Sequence, residues 1–146
     1  MSRTVMLIPL EPGVGGTCVS LGIFRAMERH GVSVNFYKPI AQPKPGYDGP
    51  ERSSQIIRRA THIIPPDAIP IHEAEDLIAH DQLDDLLEQI VARFKLGTVG
   101  AEVVVVEGLV PTNQHPFATR VNHEVAKALG ADIVIHSATK YLDGQG

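Results

Sequence analysis

The sequence contains a single cysteine, Cys18, so no disulfide can form within the chain. Long apolar runs are also missing: the longest, such as 103–106, are strand-sized and fall far below the roughly 20 residues that span a bilayer. One early arginine followed by an apolar segment does not match a signal peptide. The 13 Lys and Arg residues are scattered, whereas nucleic-acid-binding proteins usually concentrate basic charge on one surface. We therefore expect a cytoplasmic protein that binds neither membranes nor nucleic acid.

The remaining composition is that of an ordinary globular domain, because 146 residues with 43% hydrophobic content and a net charge of −4 suffice for one core. Strand-like apolar segments alternate with segments whose apolar residues recur at helical spacing. Strands are predicted at 3–9, 32–38, 101–108 and 131–136, and helices at 19–29, around 53–60, at 83–94 and at 116–129. Four prolines and two glycines predict a loop at 39–50, and a proline-punctuated stretch without a predicted element continues through residue 70.

This alternation predicts an α/β fold with parallel strands and right-handed helical crossovers. We expect a three-layer structure in which helices cover both faces of a four-stranded parallel sheet. Because the sequence stops shortly after its last predicted strand, we also expect the front portion of a larger domain, truncated at its C-terminal end.

A glycine-rich turn joins the first predicted strand to the first helix in the segment LIPLEPGVGGTCVSLG, residues 7–22. The backbone N–H groups of such a turn and a helix N-terminus can bind a phosphate, and a Thr or Ser hydroxyl there can bind magnesium. The candidate residues for these roles are Gly13, Gly15, Gly16 and Thr17. The full phosphate-loop pattern is not met, because Gly16 stands where a lysine is expected and Pro9 replaces the first glycine.

The missing lysine removes a charge-assisted contact worth roughly 1.5–3 kcal/mol, and Glu11 in the loop would repel a phosphate. Two interpretations stay open, a tight turn without a ligand or weak binding of a nucleotide or anion. Lys38 and Glu107, each at the end of a predicted strand, are expected at the same sheet edge, where ligands of open α/β sheets bind. Glu107 could hold a metal or position a water. Alternatively, Lys38 and Glu107 pair with each other or mark strand ends at the surface.

The phrases SLGIFRAMERHGVSVNFYKPIAQP and EVVVVEGLVPT, with the degenerate loop before them, resemble the N-terminal domain of long-form bacterial phosphate acetyltransferases over residues 1 to about 131. That domain is similar in fold to dethiobiotin synthetase, an ATP enzyme of the P-loop type. The resemblance implies a phosphate and magnesium site at Thr17, Lys38 and Glu107, with Gly16 in place of the loop lysine. It also implies a regulatory domain in a homo-oligomer, weak ATP and magnesium binding at most, and acetyl transfer by a separate catalytic domain.

The C-terminal string HSATKYLDGQG instead resembles the cofactor-lysine segment of O-succinylhomoserine sulfhydrylase, a pyridoxal-phosphate enzyme. This second resemblance implies a Schiff base at Lys140, with Ser137 and Thr139 near the cofactor phosphate. The two resemblances meet near 129–132, which divides the chain into 1–131 and 132–146. Such a junction is typical of a chimera, a mispredicted gene or a generated sequence. Three hypotheses follow: an acetyltransferase regulatory domain that is itself inactive, a fragment of a pyridoxal-phosphate sulfhydrylase, or a non-catalytic subunit-contact module.

Overall fold

The computed structural model describes residues 2–10, 16–43 and 49–137. Strands and helices alternate along this part of the chain. The elements are β1 (Arg3–Pro9), α1 (Gly16–Arg29), β2 (Val34–Tyr37), β3 (Ile40–Ala41), α2 (Arg52–Ala60), β4 (Ile69–Pro70), α3 (Ile71–Ala79), α4 (Leu83–Gly97), β5 (Val103–Glu107), α5 (Ala118–Leu129) and β6 (Asp132–His136).

Four strands form one parallel sheet in the order β2-β5-β1-β6. The two central strands, β5 and β1, are the most apolar segments of the chain, as expected for strands covered on both faces. In the register between them, Val105 lies beside Val5 and Glu107 beside Leu7. The predicted α/β fold with a four-stranded parallel sheet is therefore confirmed.

Helices cover both faces of this sheet, and each face has its own apolar core. On one face, α1 and α2 pack on the sheet through a cluster of Leu7, Phe24, Phe36, Ile57, Ile63 and Val105. On the other face, the larger cluster joins the sheet to α3, α4 and α5, with Ala74, Leu86, Ile90, Val121 and Val125 among its helical members. Alternate residues of β5 belong to the two clusters, since successive side chains of a strand point to opposite faces.

Three elements, β3, β4 and α3, lie where none was predicted. The proline-rich segment contains β3, which pairs in parallel with β4 and buries Ile40 and Ile69. Pro70 is tolerated there because it ends a two-residue strand and leads directly into α3. Helix α3 was not predicted because its apolar pattern is weak. Only Ile71 and Ala74 are buried, and acidic residues occupy much of the remaining helix.

Two helices are followed by glycines in a left-handed conformation. Gly31, just beyond α1, has a φ of 71°, and Gly130, just beyond α5, has a φ of 63°. These left-handed conformations suit glycine because it lacks a Cβ atom. Within the described residues, no helix combines the length and apolar character required to cross a membrane.

Candidate functional site

The carboxyl ends of β2 and β5 bring two predicted site residues to one edge of the sheet. Lys38 directly follows β2, and Glu107 is the last residue of β5, which is the neighbouring strand. Thr17 reaches the same place from the first turn of α1. The parallel order of the strands is what gathers residues so far apart in sequence, since parallel strands end at a common edge.

Lys38 and Glu107 form a buried ion pair. The Nζ atom of Lys38 donates to Oε1 of Glu107 at 2.9 Å, and the two side chains are only 6% and 10% exposed. Of the two structural alternatives, mutual pairing is therefore the one observed, and an exposed position at a strand end is wrong. The lysine charge is neutralised by a neighbour within the chain.

Ser53 links this ion pair to Thr17. Its hydroxyl donates to Oε1 of Glu107 at 3.0 Å and lies 3.1 Å from the Oγ1 atom of Thr17. Because the single Ser53 proton is committed to the carboxylate, Thr17 is the donor in the second hydrogen bond. The result is a continuous network of Thr17, Ser53, Glu107 and Lys38, which we call the edge network.

Ser53 was not identified from the sequence as a site residue. The available signal was its position at the start of a predicted helix directly after a proline- and glycine-rich loop. The adjacent N-terminus of α2 already has an anion: the Glu51 carboxylate accepts hydrogen bonds from the amides of Ser53 at 2.8 Å and Ser54 at 2.7 Å. This carboxylate occupies the helix end that a phosphate would otherwise favour.

The segment after Glu107 is held by two side-chain amides. Asn122 bonds both the N–H and the C=O of Leu109, each at 2.8 Å. Gln42 does the same for Val110, at 2.8 and 2.9 Å. Each side-chain amide thus makes the two backbone hydrogen bonds that a neighbouring strand would otherwise make. These contacts hold the segment after β5 in position.

Gly108, the glycine of the V-E-G phrase, lies where a larger residue would be crowded. A Cβ atom at this position would lie 3.0 Å from Oδ1 of Asn122 and 3.0 Å from the terminal methyl carbon of Met6. Since Asn122 is committed to Leu109, it cannot move away without losing those hydrogen bonds. The close approach of α5 to the strand end leaves little room for a Cβ atom and so favours glycine here.

The edge network has the donor types of a magnesium site. Thr17, Ser53 and Glu107 supply oxygen atoms, the ligands that Mg²⁺ prefers. The Oε2 atom of Glu107 is buried and has no hydrogen-bond partner among the described residues, so this oxygen fits a cation. Oε1, in contrast, already contacts the Lys38 ammonium, which leaves Glu107 only one oxygen for a metal ion.

Several predicted site residues lie outside the described part of the chain. These are Gly13, Gly15, Lys140 and Thr139, together with Glu11. Gly16 is the first residue of α1, and Ser137 is exposed directly after β6. The pyridoxal-phosphate hypothesis for Lys140 therefore stays a prediction, as does the phosphate role of the glycine loop.

Comparison with known proteins assigns the chain to a family. A family model described as an AAA domain (AAA_26) matches residues 3–141, so the chain belongs to this P-loop-like family. The proposed division near residue 131 lies inside this matched range and stays a prediction.

Named relatives are phosphate acetyltransferases. The chain is 47% identical to that of Salmonella typhimurium over 134 residues, which are 92% of this chain and 19% of the relative. It is 45% identical to the Pseudomonas putida protein over 93% of this chain and 20% of the relative. The Deinococcus radiodurans protein is 36% identical over 93% of this chain and 19% of the relative. The resemblance to the phosphate acetyltransferase family is thus confirmed, and the chain spans about a fifth of the length of these relatives.

Proposed function

We propose that the chain is the N-terminal regulatory and assembly domain of a phosphate acetyltransferase and acts in the cytoplasm. The parent reaction converts acetyl-CoA and phosphate into acetyl phosphate and CoA. The observation that supports this role most directly is the alignment: 47% identity extends over 92% of the chain but over only 19% of the Salmonella typhimurium enzyme. A segment that matches such a small share of an acetyltransferase is expected to need the remaining four-fifths for acetyl transfer.

The edge network supports a non-catalytic role. A catalytic lysine or carboxylate needs a substrate within hydrogen-bond reach. The Lys38 and Glu107 side chains are instead buried and bonded to each other. Ser53 donates a further hydrogen bond to Oε1 of Glu107 and in turn contacts Thr17. Incoming phosphate would have to compete with Glu107 for the ammonium, at the cost of separating a buried ion pair.

Any ligand bound at this edge would be a weakly held nucleotide with magnesium. Thr17 and Glu107 would hold the metal ion, Lys38 would contact phosphate, and the loop glycines Gly13, Gly15 and Gly16 would donate backbone hydrogen bonds. Such a ligand would serve regulation, since no cofactor is required for the proposed assembly role. The partners would be the remaining acetyltransferase domains and like subunits.

The chain alone should not form acetyl phosphate. The test is to incubate the purified chain with acetyl-CoA and phosphate and to follow CoA release with a thiol reagent. The Cys18→Ser variant serves as the protein sample because it lacks the only thiol of the chain. Turnover well above a protein-free blank that persists after repurification would contradict the proposed role.

A segment exchange tests the regulatory and assembly role itself. The matched segment of the Salmonella typhimurium enzyme is replaced by this chain, and a second variant lacks the segment entirely. We expect acetyl transfer in both, with the native subunit assembly and effector response restored only in the exchanged variant. If the variant without the segment assembles and responds like the intact enzyme, the segment has neither role.

A further inference from the structure

An open cleft of about 380 Å³ lies between α1 and the C-terminal end of α2. Arg25 and Glu28 of α1 line one side, and Arg59 in the last turn of α2 and His62 just beyond it line the other. The buried Phe24 also lines the cleft. No residue of the edge network takes part, and the volume falls within the range of about 300–1,000 Å³ that is usual for small-molecule sites.

The two arginines of the cleft are available to a ligand. Arg25 and Arg59 are exposed, and neither forms an ion pair or a side-chain hydrogen bond with any of the described residues. Arg58, next to Arg59, is in contrast paired with Asp67 at 3.3 Å. A guanidinium group presents a planar fork of N–H donors that matches the oxygen atoms of a phosphate or a carboxylate. The cleft therefore offers two such forks, one from each helix.

The cleft has a net positive charge. Among the described residues that line it, Glu28 is the only acidic one. Its Oε1 atom lies 3.6 Å from Nδ1 of His62, so the carboxylate contacts the imidazole across the cleft. Two arginines thus face a single carboxylate, and this balance favours an anion over a cation.

The surrounding helices have the same sign of charge. Helices α1 and α2 together carry five arginines and one acidic residue, whereas α3 and α4 on the other face of the sheet carry six acidic and two basic residues. The whole chain has a net charge of −4, so the positive charge is a local property of the α1–α2 face. A cleft within charge of one sign raises the local concentration of ions of the opposite sign.

We propose that the cleft between α1 and α2 binds a small polyanion, whose phosphate or carboxylate groups are held by Arg25 and Arg59. Two guanidinium groups on separate helices favour a molecule with at least two negative charges over a monovalent anion. This site gives the regulatory role proposed above a ligand of defined chemistry. The tests below measure binding to α1 and α2 alone, whereas the acetyl phosphate and segment-exchange experiments decide the acetyltransferase assignment.

The first test titrates the complete chain with pyrophosphate and, separately, with citrate, and follows the backbone amide signals by NMR. Potassium chloride at equal ionic strength is the reference. Arg25→Gln and Arg59→Gln should each weaken binding at least about tenfold, because each removes a charge-assisted contact. The matched control is Arg29→Gln, which removes the same charge from an exposed position one turn along α1 and should weaken binding less than about threefold.

The second test predicts a gain of binding. Glu28→Gln removes the carboxylate of the cleft and should tighten binding of the preferred probe roughly threefold or more, since the repulsion of the anion is lost. Glu88→Gln is the control, because it removes an exposed acid from α4 on the other face of the sheet and should leave the affinity unchanged. A merely structural role of Glu28 would not produce tighter binding.

Amide shifts at residues 24–28 and 59–62, weakened in both cleft arginine variants and strengthened by Glu28→Gln, support the proposal. Binding of pyrophosphate alone would identify a phosphorylated ligand, and binding of citrate alone a polycarboxylate. The absence of shifts at tens of millimolar of either probe would overturn the proposal. Equal weakening by Arg25→Gln and Arg29→Gln would also overturn it, because diffuse surface charge would then account for the binding. Circular dichroism confirms for each variant that the fold is intact.

Discussion

At the scale of single residues, the free energy of unfolding should depend strongly on the Lys38–Glu107 ion pair. Both side chains are almost fully buried, and the ionic contact of 2.9 Å compensates for their removal from water. Lys38→Met leaves the Glu107 carboxylate buried without its cation, so we expect a loss of about 3–5 kcal/mol in the free energy of unfolding. Urea denaturation followed by circular dichroism measures this loss.

The double variant Lys38→Met with Glu107→Leu is the control for this prediction. It removes both charges and should be closer in stability to the natural chain than Lys38→Met alone, because no unpaired charge is left buried. A single Lys38→Met variant that unfolds at the same urea concentration as the natural chain would show that the pair is accessible to water in solution.

Tyr37 should make the chain less stable at alkaline pH. Burial raises the pKa of Tyr37 above its ordinary value of 10.0, and the nearby Arg93 charge offsets only part of this effect. The unfolded chain therefore loses the phenol proton first, so stability is complete below about pH 10 and falls as the pH rises further. The expected slope is about 1.4 kcal/mol per pH unit.

Tyr37→Phe isolates this contribution. It should cost about 0.5–1.5 kcal/mol at neutral pH through loss of the 3.3 Å hydrogen bond to the Ile90 carbonyl. Between pH 10 and 11, however, its stability should decline less than that of the natural chain. Parallel declines measured by urea unfolding would mean that other groups cause the alkaline loss.

The sequence predicted the charged members of the edge network but not the residues that hold them. Lys38 and Glu107 end apolar strands, and this pattern is visible along the chain without knowledge of the fold. Ser53 and Gln42 act through contacts with residues more than 50 positions away. Their sequence neighbourhoods are loop and helix start, which carry no sign of the strand end that they contact.

At the scale of elements, Gly130 and Gly22 should respond to substitution by alanine in opposite ways. Gly130 has a φ of 63° beyond α5, so Gly130→Ala should cost about 1 kcal/mol of stability through left-handed strain. Gly22 lies inside α1 with open space around its missing Cβ atom, so Gly22→Ala should stabilise by about 1 kcal/mol. Thermal unfolding of both variants measures the two effects. Shifts of the same sign would contradict the assigned helix ends.

Elements with strong periodicity were predicted well, and those stabilised by distant contacts were not. The apolar residues of β1 and α4 follow long patterns that fit few other kinds of secondary structure. Both elements lie close to their predicted positions. β3 has only two residues, Ile40 and Ala41, and exists because β4 lies beside it. No local pattern can indicate a strand of that length within a proline-rich segment.

At the scale of the whole molecule, the chain combines the parallel sheet of a P-loop-like domain with an edge whose charges are already paired. The fold requires apolar β1 and β5, a turn into α1 and helices on both faces, and the sequence satisfies these requirements. Phosphate binding requires in addition an unpaired positive charge at the strand ends. Gly16 lacks that charge, and the Lys38 ammonium donates a hydrogen bond to Glu107. We therefore expect affinity for ATP to be weak or absent.

Restoring the loop charge should recover nucleotide binding. The variant Gly16→Lys with Glu11→Gly adds a cation where α1 begins and removes the repelling carboxylate. It should bind ATP with magnesium at least about tenfold more tightly than the natural chain, because one or two charge-assisted hydrogen bonds become available. Titration calorimetry with and without magnesium measures this change.

The matched control is Gly16→Ala with Glu11→Gly, which makes the same backbone change and removes the same acid without adding the cation. If the lysine variant binds ATP more tightly and the alanine variant does not, the missing charge is what separates this loop from a nucleotide site. Equal gains in both variants would assign the effect to the loss of Glu11. No gain in either, with the fold intact by circular dichroism, would leave the turn a structural connection between β1 and α1, and any regulation by the domain would then act through another surface.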